Sequence, residues 1–408
     1  MRILHTSDWH LGQHFMGKTR QAEHQAFCTW LIDQVREHAV DALLIAGDVF
    51  DTGAPPSYAR EQYNRFVVEL SATGCALVVL GGNHDSVAML GESKTLLERL
   101  GTRVIPGVCA DLDEQLLVLE RRDGEPGAIL CGIPFIRPRD VLLSQAGQSA
   151  ADKQGALQQA IQAHYRDLYD LAEARRDALG GQLPIIATGH LTTVGASASE
   201  SVREIYVGSL EAFPTSAFPP AAYIALGHIH RPQKVGGLAH IRYCGSPIPL
   251  SFDEARQLKE VLLVELDGQG LGAVRALSVP RFQPLLSVAG SLQELQQAIV
   301  EAAAQGSAER PVWLEVRVSG DDYLSDLQQR VATLCEGLPV EVLRIRRERA
   351  NAAVGLRSQG RETLDELSVE EVFAQRLQHE QLDAADAQRL QGLYRQVLEA
   401  VQGERTDS

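Results

Sequence analysis

Five short apolar runs in this chain each end on a cluster of carboxylate, amide or imidazole side chains. Arg2–Thr6 leads to Asp8-x-His10, and Ala42–Ile45 leads to Gly47-Asp48. Ala76–Leu80 leads to Gly81-Gly82-Asn83-His84-Asp85. Ile185–Thr188 leads to Gly189-His190, and Tyr223–Leu226 to Gly227-His228-x-His230. Runs this short read as buried strands. In layered α/β proteins, ligands bind beyond the carboxyl ends of strands. One Gly-Asp pair is usually only a turn, and one loop histidine is usually solvated. Five polar strand ends in one chain ask for a fold that brings them together.

The runs alternate with helical spacing. Thr19–Glu37 carries Ala26, Phe27, Trp30, Leu31 and Val35 at helical intervals, and Ser57–Ala72 opens after Pro55-Pro56 on the cap candidate Ser57. Leu90–Leu100 reads as a third helix. This β-α-β-α-β order predicts a layered α/β sheet with right-handed crossovers. After Arg103 strands dominate: Leu116–Glu120, Ala128–Ile133, Ile185–Thr188, Tyr223–Leu226, Ile241–Cys244 and Val261–Leu266, interrupted by a helix around Ala156–Ala178. They read as a second sheet packed on the first, giving an α+β sandwich with helices outside.

Near Pro280 the polar motifs stop. Gln283–Val288, Ser291–Ala304, Val312–Val318, Tyr323–Leu334 and Val340–Ile345 spell a small β-α-β-α-β unit. Asn351–Glu362 is small, polar and Gly-bearing, like a linker. Two amphipathic helices, Ser368–Gln378 and Asp386–Val401, are expected after it; Ser368-Val369-Glu370-Glu371 is a capping box. The expected division is 1–280, 281–349 and 350–408.

Lys+Arg number 38 against Asp+Glu 53, a formal net charge of -15. Bulk electrostatics therefore do not draw this chain to nucleic acid. Any such contact needs local cations; Arg137, Arg139, Arg344, Arg346, Arg347 and Arg349 are candidates. The six cysteines form no C-x-x-C pair and read as buried thiols. A secretory leader is not expected ahead of the strand Arg2–Thr6, and no apolar run approaches about 20 residues. The expected location is the cytoplasm.

Asp8 and His10 lie two apart, as do His228 and His230, so an extended backbone turns each pair one way. Carboxylate suits hard divalent ions, and imidazole adds affinity for manganese, iron or zinc. Asp48 reads as a carboxylate bridging two ions. Asn83 offers a neutral carbonyl oxygen, and its Gly-Gly-Asn turn would be favoured anyway. His84 directly follows a ligand, so it reads as facing substrate, suited to protonating a leaving oxygen. Asp85 is grouped with His84 as catalytic, orienting its ring; a turn or helix-cap role is the alternative.

D-x-H, G-D, G-N-H-D, G-H and G-H-x-H, in that order, resemble the calcineurin-like metallophosphoesterases. Within them, S-D-W-H-L-G, G-D-V-F-D-T-G-A-P-P-S, G-H-I-H-R-P-Q and L-D-E-L-S-V-E-E-V-F are similar to the nuclease subunits of bacterial SbcCD-type double-strand-break complexes. The resemblance implies a double-sheet core with flanking helices, a small capping domain that positions DNA, and a C-terminal helical arm. It implies one cation held by Asp8, His10, Asp48 and His230, and a second held by Asp48, Asn83, His190 and His228. His84 would be the catalytic histidine. Two Mn2+ ions per subunit are implied, with Mg2+ or others possible. The implied activities are exonuclease on duplex ends and endonuclease on single strands or hairpins, in DNA repair and recombination.

The implied partners are DNA, an SbcC-like ATPase with a long coiled coil that receives the C-terminal arm, and a second copy of the chain. Tyr63, Phe66, Val67 and Leu70 are spaced to permit that dimer, and equally to cover the sheet. Nucleoid association in a bacterial cytoplasm follows from the same resemblance. Archaeal members carry a further histidine shortly after the bridging aspartate, where this chain has Phe50-Asp51-Thr52. Protein phosphatases place Asp-Arg-Gly there to grip a monoester; this chain has Asp51-Thr52-Gly53, which favours a diester. A small-molecule phosphodiesterase is the alternative, and the domains after residue 280 weigh against it.

Overall fold

A computed structural model describes residues 1–142, 149–199, 201–202, 212–319, 326–348, 389–390 and 394. Met1–Arg317 with Asp326–Arg346 form one compact unit. The linker and almost all of both C-terminal helices expected from sequence lie outside the described residues.

Two six-stranded sheets form the body. The first runs Gly270–Ser278, Glu260–Asp267, Arg2–Thr6, Ala42–Ala46, Ala76–Leu80 and Thr102–Ile105, in spatial order. Its last four strands are parallel. The second runs Gln233–Lys234, Ile241–Tyr243, Tyr223–Gly227, Ile185–His190, Pro126–Cys131 and Leu116–Glu120. Side chains alternate as period two demands. Ala42 and Leu44 face the other sheet, in one cluster with Leu130, Ile186 and Ala225. Leu43 and Ile45 face outward and are covered by helices Gln21–Glu37 and Ser57–Ser71. Helix Ala150–Ala178 covers the outer face of the second sheet through Leu157, Ile161, Tyr165 and Leu168. Strands buried on both faces need continuous apolar sequence, and Ala42–Ala46 has it.

Three sequence expectations are corrected here. Val261–Leu266, assigned to the second sheet, lies antiparallel to Arg2–Thr6 in the first. Apolar alternation shows that a strand is buried, not which neighbour it takes. Its hairpin partner Gly270–Ser278 was not foreseen, because its residues are only half-buried and give no clean alternation. Leu90–Leu100 is two short helices, Val87–Gly91 and Lys94–Glu98, broken around Gly91 and Ser93, with an unforeseen strand Thr102–Ile105 after them.

The residues that permitted a dimer, Tyr63, Phe66, Val67 and Leu70, are buried in this chain's own core. They cover the sheet, which was the plainer of the two readings.

Beyond residue 281 comes a three-stranded sheet, Leu285–Gly290, Val312–Ser319 and Val340–Glu348, with helices Leu292–Ala303 and Leu327–Leu334. Ser291 and Glu294 make a reciprocal cap at the first helix. Leu285, Trp313 and Leu343 pack against Phe15 and Phe252 of the body. Phe15 stacks on Trp313 at 6.1 Å, and the Arg20 guanidinium lies over both rings.

Candidate metal centre

Because the strands bearing the motifs run parallel within each sheet, their carboxyl ends share one edge of the sandwich. Asp8 N donates to Gly47 O at 3.0 Å and His10 N to Asp48 O at 3.1 Å, tying the first two motif loops together. The loops bend sharply to do this. Asp8, His10, Asp48 and His228 all have positive φ, between 48° and 95°. Side-chain-bearing residues rarely adopt this conformation, and clusters of it mark functional sites. Gly82 passes so close to Asp48 that a Cβ there would lie 2.1 Å from the carboxylate.

The donor atoms converge as two groups linked by a third, which is His10, Asp48 and His84. Asp8, His10 and His230 lie within 4.8 Å of one another, as do Asp48, His190 and His228. His10 Nε2 is 3.7 Å from Asp48 Oδ2, and His190 Nε2 is 3.2 Å from the same oxygen, so Asp48 stands between the groups. Asn83 Oδ1 is 2.9 Å from His190 Nε2. All seven expected ligands are in one place.

The hydrogen bonds fix which nitrogen faces inward. His190 Nδ1 donates to the Ala46 carbonyl at 2.9 Å, which leaves Nε2 aimed at Asp48 and Asn83. His10 Nδ1 donates to Asp51 Oδ1 at 3.1 Å. His10 Nε2 is buried with no hydrogen-bond partner. A buried lone pair facing carboxylates needs a proton or a cation between them. Without a cation, protons take that place. Burial alone would depress His190, but the Asp48 carboxylate holds its pKa up to about 9. Burial, then the neighbouring His190, drives His228 down instead. The donor set, its burial and the orphaned nitrogen all fit divalent ions.

His84 lies at the open side. Its Nδ1 donates to the Asp51 carbonyl at 2.7 Å, and its ring meets His10 edge-on at 4.7 Å. Its backbone N–H also donates to Asp48 Oδ1 at 2.9 Å. Asp85, expected as an orienter of His84 or a turn residue, takes the turn role. Its carboxylate accepts from the backbone N–H groups of Gly82, Val49 and Phe50 at 2.8–3.1 Å. Burial, and then the charge of Asp48, push its pKa up to about 6. Arg137, a candidate phosphate contact, instead grips the same turn, donating to the Asp85 carbonyl at 2.9 Å.

Arg344 lines the cleft that opens on His10, Asp51, His84 and His230, and pairs with Glu315 at 2.8 Å. Arg139 is exposed, Arg346 lies 3.9 Å from Glu315, and Arg349 falls outside the described residues.

Sequence reading missed three groups. Asp51 was noted only as a departure from a pattern, yet it touches both His10 and His84. Glu254 and Ser201 both reach His230 Nδ1. A charged or hydroxyl residue in a loop reads as solvated; only the tertiary fold brings it against a histidine.

The family model for calcineurin-like phosphoesterase matches residues 1–232. The chain belongs to that family. A second model, described as the Type 5 capsule protein repressor C-terminal domain, matches 281–381. The chain is 55% identical over 405 residues to the SbcD component of the nuclease SbcCD from Escherichia coli (strain K12), covering 99% of each. The Rhodobacter capsulatus protein of the same name is 36% identical, over 84% of this chain and 86% of its own. The Bacillus subtilis one is 29% identical, over 80% and 81%. The chain is thus a metal-dependent phosphoesterase of the hydrolase class. Among the described residues, no helix is long and apolar enough to cross a membrane.

Proposed function

We propose that the chain is a nuclease that hydrolyses DNA phosphodiesters together with an SbcC-type ATPase. The observation that carries this is the convergence of seven donor side chains, Asp48 among them, with His84 held over the same cleft. Asp8, His10, Asp48 and His230 would hold one divalent ion, and Asp48, Asn83, His190 and His228 the other, with manganese preferred. Bound there, the pair supplies Lewis-acid charge for in-line displacement at phosphorus.

The chain's own residues do the rest. A carbonyl can only accept, so the Asp51 carbonyl fixes the His84 proton on Nδ1. Nε2 then faces the departing sugar oxygen, and in the imidazolium form, which carries a second proton on Nε2, that Nε2–H passes to the oxygen and leaves the neutral Nδ1–H ring. Asp51 holds the His10 ring and, through its carbonyl, the His84 ring, so one residue sets their mutual distance. Asp85 and Arg137 clamp the turn that carries Asn83 and His84. Arg344 offers positive charge at the cleft of a chain that is acidic overall.

In this reading residues 281–349 cap the cleft and position the duplex, and the C-terminal arm docks on the coiled coil of the ATPase. Exonuclease action on duplex ends and endonuclease action on hairpins belong to the same proposal. So does a homodimer, which would have to use exposed apolar groups such as Val68 and Leu96.

The test compares nucleotide release from labelled duplex ends with phosphate release from para-nitrophenyl phosphate, in Mn2+. His84→Ala should slow cleavage by about 10²–10⁴-fold while two ions remain bound. Phosphate release without nucleotide release would sink the nuclease reading. Loss of an ion along with activity would make His84 a ligand.

A further inference from the structure

Residues 233–280 fall between the stretches matched by the two family models. This interval contains a buried charge pair. Glu254 is 0% and Lys259 4% exposed, and Lys259 Nζ lies 2.6 Å from Glu254 Oε2. A buried ion pair seldom adds stability over apolar packing, so this one calls for another role.

Both partners reach His230. Lys259 Nζ donates to the His230 carbonyl at 2.9 Å and to Ser246 Oγ at 2.9 Å. Glu254 Oε1 lies 3.3 Å from His230 Nδ1. Ser201 Oγ lies 2.6 Å from that nitrogen and also donates to Glu254 Oε1. Since the hydroxyl proton goes to the carboxylate, Ser201 accepts from His230 Nδ1–H. The proton of His230 is thereby fixed on Nδ1, and Nε2 is turned toward Asp8 at 4.0 Å. Leu250 N also donates to Glu254 Oε2 at 3.1 Å, fixing the carboxylate itself.

We propose that Glu254, held by Lys259, is a positioning residue for the cation bound by Asp8, His10 and His230. Lys259 sets the His230 backbone, and Glu254 with Ser201 sets the ring and its tautomer. Carboxylates placed behind ligating histidines in this way raise metal affinity. The proposal rests on the metal-centre reading above but not on the identity of the substrate.

The test is Mn2+ binding to the full chain, followed by electron paramagnetic resonance of free ion. Glu254→Gln should weaken one of two ions by about 10–100-fold and leave the other unchanged. In a His230→Asn background the same substitution should add nothing. If Lys259 without its partner prevents folding, Glu254→Gln combined with Lys259→Met removes both charges and carries the same readout. Two ions bound as in the wild type would overturn the proposal. So would equal weakening of both, or effects of Glu254 and His230 that multiply. A wild-type chain that binds no manganese would overturn the metal reading and this proposal with it.

Discussion

Around His10 and His230 the supporting contacts are side chains; around His190 they are backbone. His10 leans on the Asp51 carboxylate, and His230 on Ser201 and Glu254. Asp8 accepts from Ser7 Oγ at 2.5 Å as well as from the His228 N–H. His190, by contrast, is fixed by the Ala46 carbonyl, an atom of a fully buried central strand. One half-site draws its rigidity from charges delivered by distant loops. The other inherits it from the sheet. A backbone support cannot be deleted by a side-chain substitution, only displaced. A side-chain support can be tuned or lost one residue at a time.

The largest expected effect comes from the residue the two halves share. Asp48→Asn should weaken both ions by more than the about 10–100-fold typical of an outer partner, and abolish cleavage. Two tightly bound ions in that variant, by metal analysis of the purified protein, would show that Asp48 does not join the halves.

Gly227→Ala is aimed at the backbone-supported half. A Cβ at Gly227 would lie 2.0 Å from the Ala46 carbonyl oxygen and 2.8 Å from His190 Nδ1. Something must shift, and the atoms in the way are the hydrogen bond that orients His190. The expected cost is about 1–3 kcal/mol of stability, with about 10–100-fold weaker binding of one ion only. Glu254→Gln should strike the other ion. If ion titration shows both variants weakening the same ion, the contrast between the halves is wrong.

Much of this centre was legible in sequence, and the reason is geometric. Ligands at the ends of parallel strands lie on one edge, so five strand-end motifs sufficed to name Asp8, His10, Asp48, Asn83, His190, His228 and His230 as neighbours. The left-handed backbone of Asp8, His10, Asp48 and His228 was not legible. Nothing local demands it in residues that carry a Cβ; the crossing loops impose it. The supports divided in the same way as the halves. Gly47, Gly82 and Gly227 stand beside the ligands because ligand atoms pass where a Cβ would be, and the glycines are visible in sequence. Asp51, Ser201 and Glu254 look like ordinary loop residues until the fold brings them against His10, His84 and His230. Strand pairing was the other blind point: Val261–Leu266 looked like any buried strand, and only the open edge of Arg2–Thr6 decides its sheet.

The smallest expected effect concerns a titratable prop beneath the first half-site. His24 Nε2 donates to the carbonyl of Trp9, the residue between Asp8 and His10, at 2.8 Å. Burial is the main reason its pKa is lowered to about 3, with Arg20 adding to the effect. Unfolded, the same imidazole titrates near 6.5. Between those values the unfolded chain binds a proton that the folded chain excludes. Stability must therefore fall as pH drops below 6.5, by at most about 1.4 kcal/mol per pH unit from this one group. Glutamine can keep the bond to Trp9 but cannot take the proton. His24→Gln should then flatten the stability profile below pH 6.5 relative to wild type and leave it parallel above. His5, also buried and lowered to about 3, is present in both proteins and cancels from the difference. Denaturant unfolding at stepped pH reads this directly. Parallel profiles across the whole range would mean that His24 is not held neutral, and that the floor under Asp8 and His10 is less dry than its burial implies.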